Sequence, residues 1–104
     1  MTSFVAQVAV QLTSTSKHPS TWVPNAIQSA LTDTEELVNI MYESVDEHTY
    51  YITTILTLDG KEAGDWLPSL IYDYLEEGEE LIGGLTTELN DDDVQAKIIE
   101  LGMS

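Results

Sequence analysis

The sequence predicts an α+β domain in which a small, mainly antiparallel sheet of about three strands carries helices on one face, in the order β-α-β-β-α-α. Three observations lead to this fold class. Apolar and polar residues alternate over residues 3–12, β-branched and aromatic residues fill residues 49–58, and apolar residues recur at helical spacing over residues 65–82. Because 104 residues suffice for one hydrophobic core, residues 1–104 are expected to form a single acidic domain.

The first third of the chain predicts one strand and one helix. Residues 3–12 are expected to form a half-buried strand with an apolar face made of Phe4, Ala6, Val8, Val10 and Leu12. Residues 13–20 have the composition of a polar loop. A short helix over residues 22–31 follows, since Pro24 is tolerated in a first helical turn and three apolar residues share one face: Val23, Ile27 and Leu31.

The next segment, residues 33–45, is compatible with either a helix or a strand. Over residues 33–45, Asp33 and Glu36 have the spacing of a helix capping box, whereas the apolar residues fit a strand buried on both faces equally well. Residues 49–58 form a clear strand, and the link between the two segments has the length of a hairpin turn. We therefore expect an antiparallel hairpin of residues 36–45 and 49–58. A helix at 33–45 would leave the sheet with two strands.

The second half predicts two helices. The first spans residues 65–82, with an apolar face made of Leu67, Leu70, Ile71, Tyr74, Leu81 and Ile82. Gly83 and Gly84 are expected to end it, residues 86–90 to connect, and residues 91–101 to form the last helix with Val94, Ile98 and Leu101 inward. If the first crossover is right-handed, the first two strands lie parallel, as in half of a ferredoxin-like fold.

The charge balance excludes several classes of function. Three lysines and no arginine stand against nineteen acids, which gives a net charge of −16, and every acid lies between residues 33 and 104. Such a chain repels nucleic acid phosphates and anionic membranes, so we expect neither direct nucleic acid binding nor membrane association. Without cysteine there is no thiol chemistry. With no signal peptide or long apolar run, the protein is expected in the cytoplasm, that of the host cell if it is phage-encoded.

The residues that could support catalysis or bind a metal form no recognisable motif. Asp91, Asp92 and Asp93 are adjacent acids, but the residues that follow lack the alternating oxygens of a calcium loop. Three acids in a first helical turn are better explained by the positive end of the helix dipole. Neither a paired acid and base nor a nucleophile motif is present. We therefore expect no cofactor, no metal and no enzymatic activity.

The predicted binding surface is an acidic ridge along the helix at residues 65–82. Its carboxylates lie opposite the apolar face, with no basic residue to balance them, and Tyr72 lies beside them as an aromatic that could contact Arg or Lys. Glu88 and the three aspartates would extend the ridge if the last two helices pack side by side. The alternatives are a plain solvated face and a tyrosine that covers a loop. The predicted partner-binding residues are Tyr72, Asp73, Glu76, Glu77, Glu79, Glu80, Glu88, Asp91, Asp92 and Asp93.

The composition resembles that of small phage- or plasmid-encoded inhibitors that imitate DNA, including anti-restriction and some anti-CRISPR proteins. The resemblance implies competition for the basic channel of a nucleic-acid-binding host protein. Sixteen charges correspond to roughly 27 Å of duplex, close to the size of a 100-residue domain. Two other classes stay open: acidity as an adaptation to a salt-rich cytoplasm, and a structural or assembly subunit. The oligomeric state is open as well, and a homodimer is among the assemblies allowed.

Overall fold

The computed structural model describes residues 2–13, 18–90 and 92–102. Within these ranges the chain forms four strands and three α-helices, and a 3-10 turn at Pro19–Thr21 precedes the first helix. In chain order they are β1 (Thr2–Gln11), α1 (Val23–Ala30), β2 (Glu36–Ser44), β3 (Thr49–Leu58), α2 (Ala63–Asp73), β4 (Glu80–Leu89) and α3 (Asp93–Glu100). The α+β class is therefore confirmed, although the sheet has four strands where about three were expected.

The four strands form one antiparallel sheet in the order β2-β3-β1-β4. β1 is central, and its register pairs Thr2 with Leu58 of β3 and Gln11 with Glu80 of β4. β1 and β2 are both antiparallel to β3, so they run in the same direction with β3 between them. This connectivity, β-α-β-β-α-β followed by a last helix, is that of a ferredoxin-like sheet.

One face of the sheet carries the main core, and we call it the α1/α2 face because both helices pack there. The alternation in β1 turns its even-numbered residues toward these helices, as predicted. The cluster joins residues of β1, the residue that follows it, β3 and both helices: Phe4, Ala6, Val8, Val10, Leu12, Ile52, Leu56, Leu58, Val23, Ile27, Leu67 and Ile71. Burying this many apolar side chains supplies the main driving force for the fold.

The opposite face is more polar, and α3 covers part of it. Lys97 and Leu101 line a recess of about 210 Å³ with Val5, Gln7 and Thr53, whose side chains point away from α1 and α2. We call this the α3 face. The expectation that all helices lie on one face is therefore wrong. Since α2 and α3 lie on opposite faces, they do not pack side by side, and the predicted extension of the ridge from one helix to the next does not form.

The helix predicted at residues 65–82 is wrong in its second half, because α2 ends at Asp73. Gly78 adopts a positive φ of 87°, which a residue inside an α-helix does not have. Continuing the helix would also have stacked acids at three- and four-residue spacing with no cation between them, which destabilises a helix. Tyr74 is 43% exposed and stacks on Trp22, so it does not belong to a buried helical face.

Residues 80–89 form β4 instead of a helix end and a connection. Gly83 and Gly84 lie inside this strand, opposite Ala9 and Val8 of β1, so their expected role as a helix C-cap is wrong. The predicted hairpin is confirmed, because β2 and β3 pair along their length and the strand reading of residues 36–45 is the correct one. The last helix is confirmed with a later start, at Asp93.

Candidate anionic interface

The topology gathers acids at the end of the sheet where β1 finishes. Because neighbouring strands are antiparallel, the β2–β3 turn and the α2–β4 connection both lie at this end. We call it the upper acidic end, and its carboxylates are Glu43, Asp46, Glu47, Asp73, Glu76, Glu77, Glu79 and Glu80. β2 and β4 are three strand spacings apart, so this group spans about 14 Å across the sheet.

A second group of acids lies at the opposite end of the sheet. We call it the lower acidic end, and its exposed carboxylates are Asp33, Glu36, Asp59, Glu62, Asp65, Glu88, Asp92 and Asp93. β4 has ten residues, which corresponds to a separation of about 30 Å between the two ends. The predicted ridge is thus divided: Tyr72 to Glu80 belong to the upper end, whereas Glu88, Asp92 and Asp93 belong to the lower. Asp91 lies outside the described residues.

The Glu79 carboxylate stabilises the α2–β4 connection by accepting hydrogen bonds. Its Oε1 accepts a hydrogen bond from the Glu76 amide at 2.8 Å, and its Oε2 accepts from the amide and hydroxyl of Thr13 at 3.3 and 3.4 Å. These bonds tie the connection to the segment that follows β1. Glu79 is only half-buried, but its carboxylate is already engaged, so we assign it a structural role at the upper acidic end.

Asp46 closes the β2–β3 turn. Its Oδ1 accepts hydrogen bonds from the amides of His48 and Thr49, both at 2.8 Å. The His48 amide is the main cause of the lowered pKa of this exposed carboxyl, because these bonds stabilise its charged form. Asp46 and Glu47 were absent from the predicted interface. The sequence does place both acids in the predicted hairpin turn. Only the strand order shows that this turn lies at the same end of the sheet as residues 76–80.

The two described lysines are engaged in ion pairs. Lys61 Nζ lies 2.8 Å from Glu35 Oε1, and Lys97 Nζ lies 2.9 Å from Glu100 Oε2. Both lysine side chains are mostly covered, with 31% and 26% of their surface exposed. In contrast, every described acid except Glu35 and Glu79 is exposed. The part of the surface that the structure describes therefore presents carboxylates with little compensating positive charge.

Glu35 is the buried exception among the acids. Its side chain is fully covered and accepts hydrogen bonds from the Thr32 amide, the Asp59 amide and Lys61 Nζ, at 2.8–2.9 Å. Burial alone would raise the pKa of this carboxyl, but the donors outweigh it and lower the pKa from an ordinary 4.5 to about 2. Glu35 therefore joins the α1–β2 loop to the segment after β3, and it is unavailable to a partner.

Tyr72 lies beside Asp73 at the upper acidic end, with 65% of its surface exposed. It borders a shallow recess of about 320 Å³ together with Asp73 and Leu81. An exposed tyrosine beside carboxylates can bind a basic side chain in two ways: its ring makes a cation–π contact, and the carboxylates attract the positive charge. Tyr72 and Asp73 are therefore the predicted residues whose surroundings best suit a cationic partner.

Two histidines and two tyrosines lie near the upper acidic end. The His18 ring packs edge-on against Tyr42 and Tyr50, with centroids 5.7 and 4.9 Å apart. Among the residues that the structure describes, the Tyr42 hydroxyl and the His48 Nδ1 atom are buried and have no hydrogen-bond partner, and burial raises the Tyr42 pKa. Sequence reasoning missed this contact, because His18 and Tyr42 are brought together only by the packing of the chain before α1 against the hairpin.

The described residues show neither a grouped set of metal ligands nor a membrane-spanning helix. In residues 2–13, 18–90 and 92–102, no three His, Asp or Glu residues are grouped closely enough to hold a metal ion. In the same ranges, no helix has the length and apolar character needed to cross a membrane. The sequence matches no family model, and searches of curated proteins and of solved structures find no match to the chain.

Proposed function

We propose that the protein is a non-enzymatic inhibitor that imitates nucleic acid and occupies the basic nucleic-acid-binding surface of a host protein. The observation that carries this proposal is the unbalanced surface: exposed carboxylates crowd both ends of the sheet, while the described lysines are covered and ion-paired. A surface of this kind attracts Lys- and Arg-rich grooves over long range and repels nucleic acid itself.

The dimensions of the molecule support the comparison with a duplex. The chain extends over 39 × 26 × 20 Å. A duplex as long as the largest extent carries about 23 charges, against a net charge of −16 here, so the charge densities are of the same order. The upper acidic end spans about 14 Å between β2 and β4, and the major groove that separates two phosphate rows is about 12 Å wide.

In this mechanism the upper acidic end enters the basic channel first. Glu47 approaches from the β2–β3 turn, and Glu77 and Glu80 approach from the α2–β4 connection, while Tyr72 offers its ring to a lysine or arginine. Charge attraction accelerates the encounter, and the bulk of the domain then blocks the channel. No bond is made or broken in the target.

Two matched variants test which end binds. The upper-end variant carries Glu47→Gln, Asp73→Asn, Glu77→Gln and Glu80→Gln, and the lower-end control carries Asp33→Asn, Glu36→Gln, Glu62→Gln and Glu88→Gln. Each removes four exposed carboxylates, so the two have equal net charge. Immobilised protein is incubated with host-cell lysate, and captured proteins are eluted with a short DNA duplex. We expect a DNA-eluted protein with the wild type and the control, and its loss with the upper-end variant.

Two results would contradict the proposal. If nothing bound to the wild type is displaced by the duplex, the protein does not compete with nucleic acid. If both variants capture the same DNA-eluted protein equally well, the upper acidic end is not the interface. Circular dichroism of each variant checks that the fold is retained.

A second candidate is a structural or assembly subunit whose acidity reflects a salt-rich environment. The observation that favours it is β4, an edge strand on which residues 82–88 are all exposed. Apolar side chains at an open sheet edge are typical of a surface that pairs with another chain.

A further inference from the structure

β4 is covered poorly on every side. Among the described strands it pairs only with β1, and residues 82–88 are exposed whichever face of the sheet they point to. α2 reaches it near Thr86, whose hydroxyl lies 3.5 Å from the position of a β-carbon on Gly64. Ile82 is 54% exposed and Leu85 is 74% exposed. An edge strand with unpaired backbone groups and exposed apolar side chains is a template for further strand pairing.

The charge pattern selects the kind of strand that fits this edge. Residues 81–87 carry no charge, although Glu80 and Glu88 lie immediately outside them. An uncharged edge in so acidic a chain avoids charge repulsion with an incoming strand. It therefore fits best a partner strand that is also uncharged where the two strands pair. The β4 strand of a second copy meets that condition. The other edge, β2, is different, because its residues 37–42 are half-buried and Glu43 follows them.

We propose that β4 pairs antiparallel with β4 of a second copy, with Leu85 opposite the partner's Leu85, to form one continuous eight-stranded sheet. This inference does not rest on nucleic acid mimicry. A two-fold axis through the Leu85 pair sets Gly83 opposite Thr87 and Gly84 opposite Thr86, so the central five residues are uncharged. They also lie beyond the irregularity in the β1–β4 register between Ala9 and Val10.

The neighbouring register is less favourable. Centring the pair on Gly84 would set Glu80 opposite Glu88 in both copies, and like charges directly opposite each other destabilise a sheet. Centring it on Leu85 sets Glu88 opposite Ile82 and Glu80 opposite Asn90. The position of the two acids therefore selects the Leu85 register.

The same pairing closes a groove on the α3 face. Tyr51, Ala9 and Leu85 line a groove of about 360 Å³ together with Gln7, Ile82, Gly83 and Gly84. Because a two-fold axis perpendicular to the sheet keeps the α3 faces on the same side, the partner's Leu85 comes to lie beside this groove. Both copies thus bury the side chains that each exposes alone, in the isologous manner typical of homodimers.

Light scattering after size exclusion tests the pairing across a salt series. We expect dimer, at twice the 11.5 kDa of the chain, to increase from low salt to about 1 M salt, where the screening length falls to about 3 Å. Leu85→Lys should weaken the dimer by roughly tenfold or more, because two ammonium groups then meet at the axis. Ile99→Lys is the control, since Ile99 is 78% exposed and belongs to α3, outside the proposed strand pair, and the substitution adds the same charge.

A crosslinking experiment tests the register. The chain has no cysteine, so Leu85→Cys introduces one thiol per copy, and mild oxidation should give a disulfide-linked dimer. Ile99→Cys should stay monomeric under the same conditions. A chain that is monomeric throughout the salt series overturns the proposal and leaves the β4 edge to a strand of a different protein. A dimer that Leu85→Lys does not weaken overturns it as well, because the interface then lies elsewhere.

Discussion

Glu35 joins two loops at the lower end of the sheet. Replacing it tests how much these hydrogen bonds contribute to the free energy of unfolding. Glu35→Gln places an amide where three donors converge, so at least one buried donor loses its acceptor. We expect a loss of about 1–3 kcal/mol in the free energy of unfolding, measured by chemical denaturation. Glu36→Gln is the matched control, because Glu36 is exposed, and its effect should stay within about 0.5 kcal/mol. Equal effects of the two variants would contradict the structural role.

The lowered pKa of Glu35 also sets a pH dependence. In the unfolded chain the carboxyl takes up a proton near its ordinary pKa of 4.5, whereas in the folded protein it stays ionised until about 2. Its contribution to stability is therefore complete above pH 4.5 and is lost as the pH falls toward 2. The difference in melting temperature between wild type and Glu35→Gln should shrink over this interval, while the exposed acids affect both proteins alike.

At the scale of the elements, local pattern predicted the first half of the chain well. The alternation in residues 3–12 and the β-branched run in residues 49–58 specify strands, because each pattern matches the two-residue period of a half-buried sheet. The hairpin followed from the short link between its two strands. These elements depend on neighbours in sequence, and the structure confirms them.

The segment at residues 74–89 could not be assigned from local pattern. Leu81 and Ile82 lie seven and eleven residues after Tyr74 and Ile71, and these intervals are close to whole numbers of helical turns. The structure pairs residues 80–89 with β1, which is about eighty residues earlier in the chain. For the same reason the candidate interface could be predicted only in part. The acids of residues 73–93 were proposed as one ridge, but their division between two ends depends on β4, and the acids of the β2–β3 turn were missed.

A close approach to β1 explains the glycine at position 84 of β4, but not the one at position 83. A β-carbon at Gly84 would lie 3.1 Å from the Gln7 carbonyl oxygen, in the backbone of the central strand, whereas a β-carbon at Gly83 would meet nothing within 4 Å. We expect Gly84→Ala to cost about 1–3 kcal/mol through overpacking and Gly83→Ala to be neutral or slightly stabilising. Thermal melts of the two variants check this. A greater loss from Gly83→Ala would contradict the close approach of Gly84 to β1.

At the scale of the whole molecule, salt separates the two candidate functions. If the acids serve to bind a basic partner, the protein should be folded at about 0.15 M salt and gain only modestly with more, because exposed charges are already screened over about 8 Å there. A habitat adaptation predicts a fold that forms only at high salt. The measurement is the melting temperature across a salt series, and an unfolded chain at about 0.15 M would count against the inhibitor.

The central position of β1 has a consequence for how the chain is made. β1 is synthesised before the other three described strands, yet its two partners end at residues 58 and 89. β1 therefore has both of its neighbouring strands only after β4 has been synthesised. Contacts so distant in sequence slow folding and prolong the exposure of unpaired strands. The acids from residue 33 onward give the unfinished chain a strong negative charge, and mutual repulsion between such chains opposes aggregation during that delay.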